Sequence, residues 1–150
     1  MVNTVITLRP ATQHDWPAIA SLLEQARLPL DGARDHLDAY LLATIRGEVI
    51  GCVAAEVYGN AAHLHSLAVA PRLRHRGIGK TLVTAVLQGA ADRQIARVYL
   101  LTVNATDYFV QFGFERVPIE QAPHAFSAWA EFQGPCPGDA VFMSLALKSK

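Results

Sequence analysis

Between Ala39 and Val69 three apolar runs follow one another, separated only by Arg46-Gly47-Glu48 and by Gly59-Asn60. Connections that short leave no room for a crossover, so the runs pair as antiparallel hairpins. The expected strands are Ala39 to Ile45, Val49 to Tyr58 and Ala61 to Val69. Pro71 ends the third. From Gly77 the apolar residues take up helical spacing, with Ile78, Leu82, Val83, Val86, Leu87 and Ala90 on one face. A buried strand, Arg97 to Thr102, follows.

The flanks extend this pattern. Thr4 to Leu8 is β-like and stops at Pro10. Thr12 with Asp15 resembles a capping box, and Trp16, Ile19, Ala20, Leu23 and Ala26 carry a helix over roughly Thr12 to Ala26. Pro17 lies in its first turn, where a missing N–H costs least. Arg27 to Gly32 is a loop, and a short helix follows over Ala33 to Leu37. Downstream, Thr106 to Phe112 is a short helix closed by Gly113, and Phe114 to Val117 begins a strand. Pro118 to Gly138 is loop-rich, and Ala140 to Leu147 is a last strand. The order β-α-α-β-β-β-α-β-α-β-β describes an α/β chain, a mixed sheet with helices on its faces.

Composition narrows the function classes. A length of 150 residues fits one domain, and 51% hydrophobic against 17% charged residues supplies a core. Thirteen basic residues balance thirteen acidic ones, so no nucleic acid or membrane partner is expected. Cys52 and Cys136 read as reduced thiols of a cytoplasmic protein, monomeric or homodimeric. The N-terminus lacks the pattern of a secretory signal, and the longest apolar run, Val49 to Ala55, is far too short to span a membrane. The six histidines lack zinc-ligand spacing, so no metal is expected.

Chemistry concentrates in Leu67-Ala68-Val69-Ala70-Pro71-Arg72-Leu73-Arg74-His75-Arg76-Gly77-Ile78-Gly79-Lys80. A strand ends, a basic turn follows, and a helix opens on two glycines. The first N–H groups of a helix lack internal partners and carry partial positive charge. Four of the thirteen Lys and Arg residues lie between Arg72 and Lys80, with no acid among them. Together these features suit a pyrophosphate. A Walker A loop fails because Arg74 stands where its first glycine belongs. A dinucleotide fingerprint fails because Leu82 stands where a small residue is needed.

The remaining Arg-x-x-Gly-x-Gly, after Leu-Ala-Val-Ala-Pro and with Gly113-Phe114 downstream, resembles the acetyl-CoA motif of the GNAT acetyltransferase superfamily. The resemblance implies a single GNAT domain over residues 1–150, a mixed and mostly antiparallel sheet of six to seven strands flanked by helices. It implies that backbone groups of Arg74, His75, Arg76, Gly77, Ile78, Gly79 and Lys80, with Thr81, hold the pyrophosphate of acetyl-CoA. Leu67, Ala68 and Val69 would pair with the pantetheine arm, and the Leu67 N–H would meet the thioester oxygen. Asn104 is a candidate pantetheine contact, or an N-cap.

The implied reaction is direct attack of a neutral amine on the thioester. An α-amine has a pKa of about 8 and a lysine amine one of about 10.4, so a small amino acid needs only a weak base. His63, His65, Leu67 and Val69 share one strand face by period two. His63 is at the position resembling the Glu base of histone-type relatives and leads the candidates, followed by His65 and Glu56. In the resemblance a Tyr acid is usual four residues before Gly-Phe, but Phe109 stands there, so either Tyr108 is re-aimed as the acid or the thiolate leaves without a dedicated one. Cys52 reads as a small buried hydrophobe.

A narrower resemblance is to arsenic-resistance N-acetyltransferases. Val49 to Val53, Tyr99 to Thr102, Asp107-Tyr108-Phe109, Phe112-Gly113-Phe114, Ala130-Glu131-Phe132, Cys136-Pro137 and Ala140-Val141 carry it. It implies acetylation of a glutamate-like toxin of the arsinothricin or phosphinothricin type. Such anions need cationic contacts, for which Arg27 and Arg34 are candidates, with Gln121 to Cys136 closing the other side. The alternatives are another small amine, a protein amine, or an inactive module that senses acetyl-CoA.

Overall fold

A computed structural model of the chain describes residues 5–30, 33–123 and 140–147. It contains β1 (Ile6–Pro10), α1 (Trp16–Gln25), β2 (Tyr40–Ile45), β3 (Glu48–Tyr58), β4 (Ala61–Val69), α2 (Ile78–Asp92), β5 (Arg97–Thr102), α3 (Thr106–Val110), β6 (Glu115–Arg116) and β7 (Val141–Ala146). Among the described residues the sheet order is β1-β2-β3-β4-β5-β7-β6, seven strands in which β4 pairs in parallel with β5. This is the mixed, mostly antiparallel sheet that the resemblance to GNAT acetyltransferases implies, built on the hairpins that the apolar runs predict. Among the described residues no helix is long and apolar enough to cross a membrane.

The chain forms two compact units, Met1–Glu56 with His65–Gly89, and Val57–Leu64 with Ala90–Lys150. In the first, β1 pairs antiparallel with β2 from Ile6↔Ile45 to Pro10↔Leu41. β2 and β3 join through Arg46 and Gly47, both left-handed at φ 53 and 80, which matches the twist of a tight hairpin. Their ladder slips once: Ala43 faces Gly51 but Thr44 faces Val49. The bulge leaves Ile50 over, and its carbonyl accepts the Ala70 N–H at 2.8 Å. Ile19, Leu22 and Leu23 of α1, Leu42, Ile50 and Val53 of the hairpin, and Ile78, Leu82 and Val83 of α2 are buried.

Helix α1 departs from its predicted start. Residues Gln13–Asp15 form a 3-10 turn, and α1 begins at Trp16. The buried Asp15 side chain explains this. Its carboxylate accepts the Thr12 N–H at 2.8 Å and two bonds from Arg9, at 2.7 and 2.8 Å. A carboxylate committed to those donors tightens the turn below it. The expected second helix is likewise a 3-10 segment, Ala33–Ala39, broken at His36.

Strand β3 comes close to α2 at Gly51. A Cβ there would meet Leu82 Cδ1 at 3.1 Å, Ile78 Cγ2 at 3.3 Å and the Ala68 carbonyl at 3.4 Å. Both apolar neighbours are buried, so neither has room to yield. We expect Gly51→Val to cost about 1–3 kcal/mol by overpacking. Urea unfolding checks this.

In the second unit, β5 pairs in parallel with β4 over Ala61–His63 and antiparallel with β7 from Arg97↔Ala146 to Thr102↔Val141. Tyr99 stacks on Phe142 with centroids 5.5 Å apart. Strand β6 has two residues, Glu115–Arg116, shorter than expected, and Phe114 before it is buried and packs edge-on to Phe109 at 5.8 Å. Helix α3 ends at Val110, two residues short of the predicted Phe112, and a turn follows in which the Gly113 N–H bonds the Val110 carbonyl at 2.9 Å. Its N-cap is Ala105, not Asn104, and the Thr102 hydroxyl accepts the Ala105 N–H at 3.1 Å.

Candidate active site

The basic turn leaves β4 through a 3-10 turn, Pro71–Leu73, and enters α2 at Ile78. Between them His75 and Gly77 are left-handed, at φ 66 and 81. Left-handed residues two apart turn the intervening amides to one side, as in an anion nest. Sequence reasoning anticipates the glycine but not the histidine, a residue type that takes this conformation at a cost. A Cβ on Gly77 would meet nothing within 4 Å, and Arg74, His75, Arg76 and Lys80 flank it in the sequence. Arg74 Nε donates to the Val69 carbonyl at 3.2 Å and ties the turn to the strand end.

Two details revise the picture of an acid-free cluster. Arg72 reaches Glu48 at 2.6 Å, an exposed pair. Thr81 directs both its N–H and its hydroxyl to the Gly77 carbonyl, each at 3.0 Å, closing the first helical turn. The N–H groups of Ile78, Gly79 and Lys80 are the ones a helix start leaves without an internal partner.

A pocket of about 370 Å³ opens beside this turn, lined by Gln25, Ala26, Arg27, Leu67, Ala68, Val69 and Arg74. It gathers one predicted acceptor contact, Arg27, with four predicted cofactor contacts. Arg27 is left-handed at φ 59 and closes α1: its N–H bonds the Glu24 carbonyl at 3.0 Å, and the Leu28 N–H bonds the Leu23 carbonyl at 2.8 Å. Helices usually put glycine at that position. Arg34 lies exposed on the 3-10 segment, outside the pocket lining.

The titratable residues lie on β3 and β4. His65 Nε2 is 2.7 Å from Glu56 Oε2, and His65 Nδ1 is 2.8 Å from Ser66 Oγ. Both His65 and Glu56 are mostly buried, at 14% and 15% side-chain exposure. Tyr40 meets the imidazole edge-on at 6.1 Å, and the exposed His36 approaches Glu56 at 3.4 Å. Ser66 is left-handed at φ 58, so strict alternation does not carry through it. The shared face expected for His63, His65, Leu67 and Val69 therefore breaks at Ser66. His63 is buried in the parallel ladder opposite Tyr99.

Tyr108 is partly buried against Phe109 and Phe112, with centroids 5.2 and 5.4 Å away, and burial pushes its hydroxyl pKa up. Phe109 fills the core, as an apolar ring at that position should. Asn104 is exposed. The Cys52 thiol is pushed up to about 12 by burial, partly offset by a backbone hydrogen bond. It donates to the Ser66 carbonyl at 3.4 Å, which agrees with the inert reading. The Gln121 to Cys136 segment lies outside the described residues beyond Pro123.

An open, basic helix start stands beside a pocketed strand end, and the sequence profile of the acetyltransferase (GNAT) family matches residues 6–114. The chain belongs to that family. It is 31% identical over 116 residues to the amino-acid acetyltransferase of Mycobacterium tuberculosis, covering 77% of this chain and 53% of that protein. It is 26% identical over 127 residues to the amino-acid acetyltransferase of Neisseria meningitidis, covering 79% of this chain and 29% of that one. The chain thus spans well under two thirds of these relatives. The structure of N-acetylglutamate synthase from Neisseria gonorrhoeae complexed with coenzyme A and N-acetyl-glutamate superposes with a TM-score of 0.83 at 20% identity, over 98% of this chain and 36% of that one.

Proposed function

We propose that residues 1–150 act as one N-acetyltransferase domain that uses acetyl-CoA and acetylates the α-amine of a small, amino-acid-like molecule. The observation that carries this is the pocket joining Arg27 to Leu67, Ala68, Val69 and Arg74. The residues fit the cosubstrate because the Gly77 turn is basic and open, with space even for a Cβ that glycine lacks. In this reading the amides of Arg74, His75, Arg76, Gly77, Ile78, Gly79 and Lys80 hold the diphosphate. Backbone groups of Leu67, Ala68 and Val69 grip the pantetheine as an added strand would. Acetyl-CoA, when bound, supplies an activated acetyl thioester.

The remaining roles follow from the chain's own groups. The Leu67 N–H stabilises the developing oxyanion. Arg27 pairs with an acceptor carboxylate. Glu56 orients His65, which serves as the base in preference to the deeply buried His63. Tyr108, whose hydroxyl pKa burial raises, stays the acid candidate that the sequence offers. The family's amino-acid acetyltransferases support an amino-acid acceptor. Glutamate mimics of the phosphinothricin and arsinothricin type, as in arsenic resistance, are the narrower form of the same reading.

The test is thiol release from acetyl-CoA with L-glutamate, phosphinothricin, other free amino acids and a lysine peptide. Turnover of free amino acids or the mimic is expected. Turnover of the peptide alone overturns the small-molecule reading. Acetyl-CoA binding with no acceptor-dependent release makes the chain a sensor instead.

A further inference from the structure

Neighbouring residues on a strand point to opposite faces, so adjacent side chains do not meet. His65 and Ser66 break that rule: His65 Nδ1 and Ser66 Oγ lie 2.8 Å apart. The break has a visible cause, the left-handed backbone of Ser66 at φ 58. Serine holds that conformation at a cost of about 1–2 kcal/mol, and strain of this kind gathers at functional positions. The other imidazole nitrogen, Nε2, is 2.7 Å from Glu56 Oε2. An ionised carboxylate only accepts, so Nε2 carries the proton. In the neutral ring Nδ1 is then an acceptor, and the Ser66 hydroxyl is its donor.

Both imidazole nitrogens of His65 thus have protein partners, Glu56 on Nε2 and the Ser66 hydroxyl on Nδ1. We propose that Ser66 is a catalytic residue, the outer end of a Ser66–His65–Glu56 proton relay. The proposal rests on the acetyltransferase reading, in which the next residue, Leu67, meets the thioester oxygen. The bound acceptor's ammonium gives one proton to Ser66 Oγ while the Ser66 proton passes to His65 Nδ1, and the neutral amine then attacks. The nitrogen forms its bond to the acetyl carbon, the C–S bond breaks, and its electron pair leaves on sulfur. His65 becomes an imidazolium held by Glu56 and releases that proton to solvent, while the second N–H proton, lost as the nitrogen is acylated, neutralises the thiolate. Ser66 is regenerated as the hydroxyl.

Ser66→Gly tests this, because glycine suits the left-handed backbone and removes only the hydroxyl. We expect unchanged acetyl-CoA affinity by calorimetry and a kcat for the best amino-acid acceptor lowered about 100-fold at pH 7. The loss should shrink as pH rises past the α-amine pKa of about 8, where the amine no longer needs a base. Hydroxylamine, already neutral at pH 7, should be acetylated by the variant at close to the natural rate. Full amino-acid activity in Ser66→Gly overturns the relay, as does an equal loss with both amines, which marks a structural role. An acetyl group trapped on Ser66 in the natural chain also overturns it, by making the serine a nucleophile. If the natural chain acetylates neither amine, the transferase reading itself has failed, and the relay with it.

Discussion

Gly77→Glu should weaken acetyl-CoA binding by at least about 100-fold, or about 2.8 kcal/mol, as read by titration calorimetry. Two effects combine. Gly77 is left-handed at φ 81, where a side chain strains the backbone by about 1–2 kcal/mol. The new carboxylate would also stand beside a diphosphate, and at about 5 Å with an effective dielectric near ~20 each pair of like charges repels by about 3 kcal/mol. Gly77→Ala separates the two. Its Cβ would meet nothing within 4 Å, so it carries the backbone strain without clash or charge. We expect less than about a tenfold loss from it. Natural affinity in Gly77→Glu would mean that the diphosphate lies elsewhere.

Asp15→Ala should destabilise the chain by about 2–4 kcal/mol at pH 7. The carboxylate is buried, yet it accepts a bidentate bond from Arg9 and the Thr12 N–H. Removing it leaves those donors without their acceptor at the point where α1 begins. The other end of α1 carries Gln25, Ala26 and Arg27 into the pocket, so the loss should also raise the KM for the acceptor. The Arg9 hydrogen bonds, opposed by burial and helped by Thr12, hold the Asp15 carboxyl well below the usual carboxylate range. A folded pKa below the unfolded one gives stability that is present above about pH 4 and fades as acid titrates toward the folded value. The gap between natural chain and variant in urea should therefore narrow below about pH 4. A gap independent of pH would assign the effect to packing alone.

The family and the open, basic turn were legible in the residue order. Short Gly-bearing connections dictate hairpins, and the bounds expected for β4 and β5 match those observed. Arg-x-x-Gly-x-Gly marks an open helix start because glycine and a helix N-terminus act through local backbone geometry. That information is carried by neighbours in sequence.

What tertiary structure decided involves residues held in conformations their own chemistry does not favour. Arg27, Ser66 and His75 are left-handed, at φ 59, 58 and 66, and no local signal marks an arginine, serine or histidine for that role. Only packing at the helix end, across the β3–β4 register and around the basic turn holds them there. Strict alternation on β4 puts His63 and His65 on one face, with nothing to separate their surroundings. The turn of the strand at Ser66 instead gave His65 a serine on one nitrogen and Glu56, from β3, on the other. Periodicity reports which way a regular backbone points its side chains. Where the backbone leaves that regularity, long-range contacts alone determine which groups meet.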